Sequence, residues 1–254
     1  MLRQLRFDLY KLLKSRTMWG IYIASFLLCL VNPAITAIAG QADTFYNTLV
    51  IMSPSFFLRV SVILFVVFYV GMDHASGYIK NIYSSLGKAA YLSVKAIYLF
   101  IFIVLWYLFY MLFTCIFCAA AGMPVKYQSY DPAVGLVAFK IFAECFAVFG
   151  YGMIVALLVL STKNRLVALV IALVYYFGSP YLFAVIDGAI QQLPGWSDFL
   201  IERYLFLSEM YIDNYVITWP LTSAAGWFCG NVTFYIAVSA GLTSLIFIRR
   251  KVKD

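Results

Sequence analysis

Residues 96–121 read AIYLFIFIVLWYLFYMLFTCIFCAAA, a run of 26 positions without a single charged side chain. An α-helix rises about 1.5 Å per residue, so this run is long enough to cross the ~30 Å hydrocarbon layer of a bilayer. A helix that is apolar all round has no polar face to turn toward water, and the natural place for one this long is a membrane. The composition of the whole 254-residue chain agrees: 65% is hydrophobic, 19% aromatic and only 11% charged, where globular domains carry about 25% charge. With a mean hydropathy of +0.93, the length is counted in membrane spans rather than in soluble domains.

Outward from that stretch, five further apolar runs meet or nearly meet the spanning length: Met18 to Ala39, Phe56 to Met72, Ala133 to Leu160, Leu166 to Ile186 and Thr222 to Ile248. The first of them is too long for the core of a cleaved signal sequence and is expected to remain as a span. The expected architecture is therefore all-α, a polytopic membrane protein of six transmembrane helices forming one domain over residues 1–254. Little chain is left for an extramembrane unit large enough to hydrolyse a nucleotide or fold around a metal.

The charges choose an orientation. With both termini inside, 14 of the 18 Lys and Arg fall on the cytoplasmic side and only Arg59, Lys126, Lys140 and Arg203 lie outside, together with eight of the 11 acids. The positive-inside rule then selects N-in, C-in, which demands an even number of spans. The formal charge of +7 is in this view a record of topology. It is not a basic face for nucleic acid, because the bases are strung along one side of a membrane domain and not clustered on a soluble surface. Five cysteines, all in apolar stretches and odd in number, do not form a secreted disulfide framework and read as small hydrophobes.

Two cytoplasmic segments carry pattern. In residues 2–16, Leu2, Leu5, Leu9, Leu12 and Leu13 share one helical face and Arg3, Gln4, Asp8, Lys11 and Lys14 the opposite one. Such a helix is expected to lie in the inner interface with its bases near anionic head groups. The connection after the second span runs from Asp73 to Lys95. Within it Ile79, Ile82, Tyr83 and Leu86 recur at three and four residues, and Gly87 is placed to end a short amphipathic helix.

An amphipathic N-terminal helix, six spans with both ends inside, and a cytoplasmic connection carrying Asp73, Gly77, Leu86, Lys88 and Lys95 together resemble the type-2 ABC exporter permeases (ABC-2). Within that family the chain is similar to the roughly 250-residue permeases of bacterial peptide export and of lantibiotic or bacitracin immunity. It departs from the common pattern at Gly87, where Pro is frequent, and at Asp73, where Glu is usual. The resemblance implies a multi-pass protein of the bacterial plasma membrane whose segment from Gly77 to Leu86 is a coupling helix. Asp73, Gly77, Ile79, Ile82, Tyr83, Leu86 and Lys88 would then meet a separate cytoplasmic ABC ATPase. It further implies dimerisation with a second permease copy or a paralogue, an amphipathic peptide as substrate, and short re-entrant helices before the last span. The chain lacks the phosphate-loop pattern G-x-x-x-x-G-K-[ST], so ATP and Mg are expected on the partner and no cofactor here.

Inside the spans, Lys140 and Glu144 are four residues apart on one face of the fourth run, and Arg59 lies near the outer end of the second. Charges at such depth are costly unless paired or turned toward protein or water. All three are candidates for the translocation path or its gate; the alternatives are a structural pair near the outer interface for the first two, and for Arg59 a side chain that snorkels to the surface. Gly178, Ser179 and Pro180 are expected to kink or break the fifth span. The aromatic, acidic stretch from Asp187 to Leu221 is expected to lie in or re-enter the outer leaflet.

Other signals carry less. Cys115 and Cys118 lack a second ligand pair for a metal, the Asn231 sequon falls within a span, and nothing orients His74 and Ser76 as base and nucleophile. No catalytic residue is therefore assigned. Two other functional classes stay open beside the exporter subunit: an intramembrane enzyme using Lys140 and Glu144, and a membrane receptor or immunity protein that works without an ATPase.

Overall fold

Each of the first five apolar runs forms a helix in the computed structural model of the chain, which describes residues 2–39, 45, 55–75, 88–124, 126, 134–195 and 241. In chain order the helices are α1 (Leu2–Lys14), α2 (Arg16–Ala39), α3 (Ser55–Ala75), α4 (Lys88–Ala120), α5 (Val134–Thr162) and α6 (Arg165–Gln191). Four segments are long and apolar enough to cross a membrane, Arg16–Ile35, Phe56–Asp73, Ala90–Ala120 and Val137–Thr162, and α6 adds the shorter apolar stretch Arg165–Gly178. The protein is an all-α, multi-span membrane fold. The sixth run, Thr222 to Ile248, and the acidic stretch beyond residue 195 lie outside the described residues but for Gly241.

One helix sits at the centre. α3 packs against α2, α4, α5 and α6, and Leu58, Val62, Ile63, Phe65, Val66 and Val67 are each no more than 2% exposed. Its β-branched side chains present a smooth, stiff surface that neighbours can approach on every side. α2 and α4 flank it, and their outer faces show Ile23, Leu27, Leu105 and Leu112 to the surroundings. In lipid such exposure carries no hydrophobic penalty, since acyl chains are as apolar as leucine. Phe65 of α3 stacks on Phe102 of α4 with ring centroids 4.2 Å apart, and Tyr22 of α2 meets both rings.

The close approach of α5 depends on a glycine. A Cβ at Gly152 would stand 2.7 Å from Leu99 Cδ2 and 3.1 Å from Val62 Cγ1, so the missing side chain lets α5 seat against α3 and α4 together. Small residues at membrane helix contacts serve this purpose generally. α5 and α6 are joined by Lys163 and Asn164 alone. Lys163 takes the left-handed conformation at φ 56°, which reverses the chain, and Asn164 Oδ1 accepts from the backbone N–H groups of Leu166 at 3.0 Å and Val167 at 3.4 Å to cap α6.

The helix boundaries correct two expectations. The third spanning helix begins at Lys88 rather than at Ala96, so the last part of the expected connection is already two helical turns. The fifth is not broken at Gly178, Ser179 and Pro180 but continues as a helix to Gln191, as α2 continues through Pro33. A proline costs a helix one backbone hydrogen bond, but leaving the helix within a bilayer would strand several polar groups where no water can reach them.

Substituting Gly152→Ala is expected to cost about 1–3 kcal/mol through overpacking, read as a lower thermal midpoint in detergent. Gly150→Ala, whose Cβ would meet nothing within 4 Å, should be neutral or slightly stabilising; equal midpoints for the two variants would contradict the packing described.

Candidate functional site

At the end of the bundle where α1 meets α3 and α4, four charged side chains leave the solvent together. Their positions follow from helix geometry. Gln4, Asp8 and Lys11 lie along one stripe of α1 at spacings of four and three, Asp73 stands in the last turn of α3, and Lys95 in the second turn of α4. Lys95 Nζ reaches Asp8 Oδ2 at 2.8 Å and Asp73 Oδ2 at 2.7 Å, bridging the two carboxylates. Lys11 pairs with the other oxygen of Asp73. Tyr69 donates to Asp8 Oδ2 at 2.7 Å, Tyr91 to Asp73 Oδ2 at 2.9 Å, and Gln4 Nε2 to Asp8 Oδ1 at 2.9 Å.

Both carboxylates are 0% exposed and Lys95 only 4%. An isolated charge would be severely penalised there, and even a pair is retained only when its geometry and remaining hydrogen bonds are satisfied. Two acids against two bases leave the cluster neutral, and each of the four carboxylate oxygens has a donor. Lys95 also lies 3.7 Å from the centroid of the Tyr69 ring, a cation–π contact strengthened by desolvation. Nothing in this arrangement presents a nucleophile. It acts as a latch, joining α1 to the ends of the two helices that bracket residues 76–87.

The latch adds to the expected setting of α1. Gln4, Asp8 and Lys11 of its polar stripe turn onto the bundle, while Arg6 and Lys14, and with them Leu2, Leu9 and Leu13, are exposed. Tyr98 holds the helix from the same side, donating to the carbonyl of Leu5 at 2.7 Å. Lys14 alone among the paired lysines of α1 stays fully at the surface, its pKa pushed above the ordinary lysine value by the hydrogen bond with the Tyr10 hydroxyl. Ser15 breaks the helical run and caps α2, its Oγ accepting from Met18 N at 3.4 Å. Arg165 lies on the same end of the bundle, against Gly71, where a Cβ would come within 2.3 Å of its Cγ.

The other expected site residues are scattered. Gly77, Ile79, Ile82, Tyr83 and Leu86 lie outside the described residues, and Lys88 is described only as the first residue of α4. Arg59 does not snorkel to the surface: it is 2% exposed, inside the bundle, with its guanidinium 5.9 Å from the ring centre of Tyr176 on α6. Burial against an aromatic face gives this cation a partner that the helix exterior does not. Glu144 is buried and accepts a hydrogen bond from Tyr107 of α4; the side chain of Lys140 is outside the described residues. Among the described residues no three metal-ligating side chains converge. Asp8 is the member of the latch least marked in the sequence. Its one signal is that it is the lone acid in an otherwise basic amphipathic segment.

Beside the latch a cavity of about 490 Å³ opens between α1, α2 and α4. Leu9 and Leu13 of α1, Trp19 and Phe26 of α2, Phe65 of α3 and Leu105 and Phe109 of α4 line it, together with the polar side chains of Tyr22, Ser25, Tyr98 and Trp106.

No protein-family model matches the chain, and no curated protein matches it.

Replacing Lys95→Met leaves two buried carboxylates with half of their positive charge removed and is expected to destabilise the fold by about 3–5 kcal/mol. Adding Asp8→Asn to it leaves Lys11 against Asp73, a neutral set again, and should recover most of that loss. Thermal midpoints of the single and double variants, with protease accessibility of α1, provide the check; a single variant as stable as the parent would show that the latch carries no energy.

Proposed function

We propose that the chain is the membrane-spanning permease subunit of an ATP-driven exporter of the ABC-2 type, moving a hydrophobic or amphipathic substrate such as a bacterial peptide across or out of the plasma membrane. The observation that carries this reading is the 2.7 Å contact between Asp73 and Lys95. These two residues flank the connection in which the coupling helix is expected, and a force applied there meets helices already clamped to one another and to α1.

In this scheme both termini are cytoplasmic, and residues Gly77 to Leu86 dock on a separate ATPase that holds ATP and Mg. Closure of two ATPases would displace the connections of two permease copies, or of a permease and its paralogue. α3 would carry the motion inward because it touches four other helices, and a packed bundle responds by shifting between discrete arrangements rather than by bending continuously. Support comes from the multi-span fold and from the charge distribution. The pairing of Lys11 with Asp73 and the contact of Arg165 with Gly71 gather bases at a single end of the bundle, as the positive-inside rule requires of the cytoplasmic face.

Docking and coupling are separable by experiment. Co-purification with a Walker-motif ATPase is expected for the parent chain, and is expected to be lost in Ile79→Asp with Ile82→Asp. A variant with Lys95→Met and Asp8→Asn, which leaves the expected ATPase contacts in place, should keep the ATPase bound but reduce substrate-stimulated ATP hydrolysis to its basal level. A parent chain that retains no ATPase under mild solubilisation overturns the proposal.

A further inference from the structure

The charges of the latch divide in a way that strength alone does not require. Among the described residues α1 contributes one acid and one base, Asp8 and Lys11, and the bundle contributes one of each, Asp73 and Lys95. Two of the ion pairs run between these halves, Lys95 with Asp8 and Lys11 with Asp73. The third, Lys95 with Asp73 at 2.7 Å, lies wholly within the bundle. Tyr91 supports it by donating to Asp73 Oδ2 at 2.9 Å, and the Tyr69 ring does so from 3.7 Å beside the ammonium. On α1, Asp8 and Lys11 are three residues apart on one face, the spacing at which opposite charges pair along a helix. The bond from Gln4 Nε2 to Asp8 Oδ1 is also internal to α1. When α1 leaves the bundle, each half therefore keeps a neutral pair. The lone buried charge that makes breaking an ion pair so costly does not arise.

The other ties of α1 are lighter. Leu12 is buried, but Leu2, Leu9 and Leu13 are exposed; Tyr69 donates to Asp8 and Tyr98 to the carbonyl of Leu5. A single residue, Ser15, separates α1 from α2. Backbone hydrogen bonds continue on both sides of it, from Ser15 N to Lys11 O and from Trp19 N to Ser15 O, each at 3.1 Å. Both helices are thus intact up to one joint, and hinges concentrate a rotation in the dihedrals of a few such residues. Arg6 and Lys14 are exposed already, so an amphipathic α1 released from the bundle has a second seat, the interface with its anionic head groups.

We propose that α1 is a detachable clasp, which exchanges between the docked position of this structure and an undocked one at the membrane surface, the ion pairs changing partners as it moves. Docked, it ties the ends of α3 and α4 that bracket residues 76–87 through Lys95 with Asp8 and Lys11 with Asp73. Undocked, Asp8 turns to Lys11, Lys95 keeps Asp73, and those two ends are restrained only by each other. The clasp is a property of this chain alone and does not rest on the ATPase, so it stands or falls separately from the exporter assignment.

The test uses the full chain in nanodiscs of phosphatidylglycerol and phosphatidylcholine, with a ketone-bearing amino acid at positions 10 and 166 carrying nitroxide labels. Tyr10 and Leu166 are 59% and 70% exposed, and this chemistry leaves the native cysteines in place. Pulsed electron resonance is expected to show two distances, the docked one and a second. Asp73→Asn with Lys95→Met removes the bundle's half of the clasp and strands Asp8 only while α1 is docked. It should raise the undocked-to-docked ratio by about tenfold or more, with a thermal midpoint well above that of Lys95→Met alone. Lys95→Met with Asp8→Asn leaves only Lys11 against Asp73, so undocking strands Asp73 and the ratio should fall. A single distance unchanged in the parent and both double variants would overturn the proposal and make the latch a permanent fixture. So would a shift in the same direction for the two double variants, since the neutrality of each half would then not govern the exchange.

Discussion

Four charges withdrawn from water at one end of a membrane bundle can be retained only as a neutral, fully hydrogen-bonded set, and that constraint organises the described part of this protein. Lys95 lies between Asp8 and Asp73, Lys11 completes the charge balance, and Tyr69, Tyr91 and Gln4 occupy the remaining acceptor positions. Because the members come from three helices, satisfying the charges also determines how α1, α3 and α4 meet. The contact between Lys95 and Asp8 joins residues 87 positions apart in the chain. Local secondary structure alone cannot impose such a contact. It exists because folding sets both buried acids against one ammonium.

Around the latch, the bundle is built for two different solvents. α3 is enclosed by protein on most of its surface, with 67% of its spanning window buried, whereas α2 and α4 reach only 29% and 33%. The difference is one of surroundings: α3 is turned mostly toward protein, and α2 and α4 keep more of their surface on the outside of the bundle. The groove between α2 and α4 is the place where the lipid-facing surface turns inward, and α1 roofs it with leucines. α1 thus sets Gln4, Asp8, Lys11 and Leu12 against protein while Leu2, Leu9 and Leu13 remain exposed.

Much of this was legible in the chain. Long apolar runs located five helices to within a few residues at most ends, and the stripe of Gln4, Asp8 and Lys11 identified α1 as amphipathic. The pattern around Asp73 and Lys95 marked both residues. Other features were not legible. The inward turn of α1 depends on partners 61 to 87 residues away, and the burial of Arg59 depends on the place of Tyr176 on α6. The early start of α4 at Lys88 was hidden because lysines at 88 and 95 look like loop residues until an acidic partner makes the second of them acceptable inside a helix. Pro180 resembles a breaker until the bilayer is considered as the solvent, where an unbroken helix is the less costly course.

What the sequence by itself determined was the medium and the segments: apolar runs of spanning length are local quantities, set by transfer of side chains from water to hydrocarbon, and they need no knowledge of neighbours. Which charges are partners, which residues of α1 are inside and where a groove remains were decided only by the tertiary structure. The physical reason is that electrostatic neutralisation and packing are properties of pairs, and the pairs here are brought together by folding from distant parts of the chain.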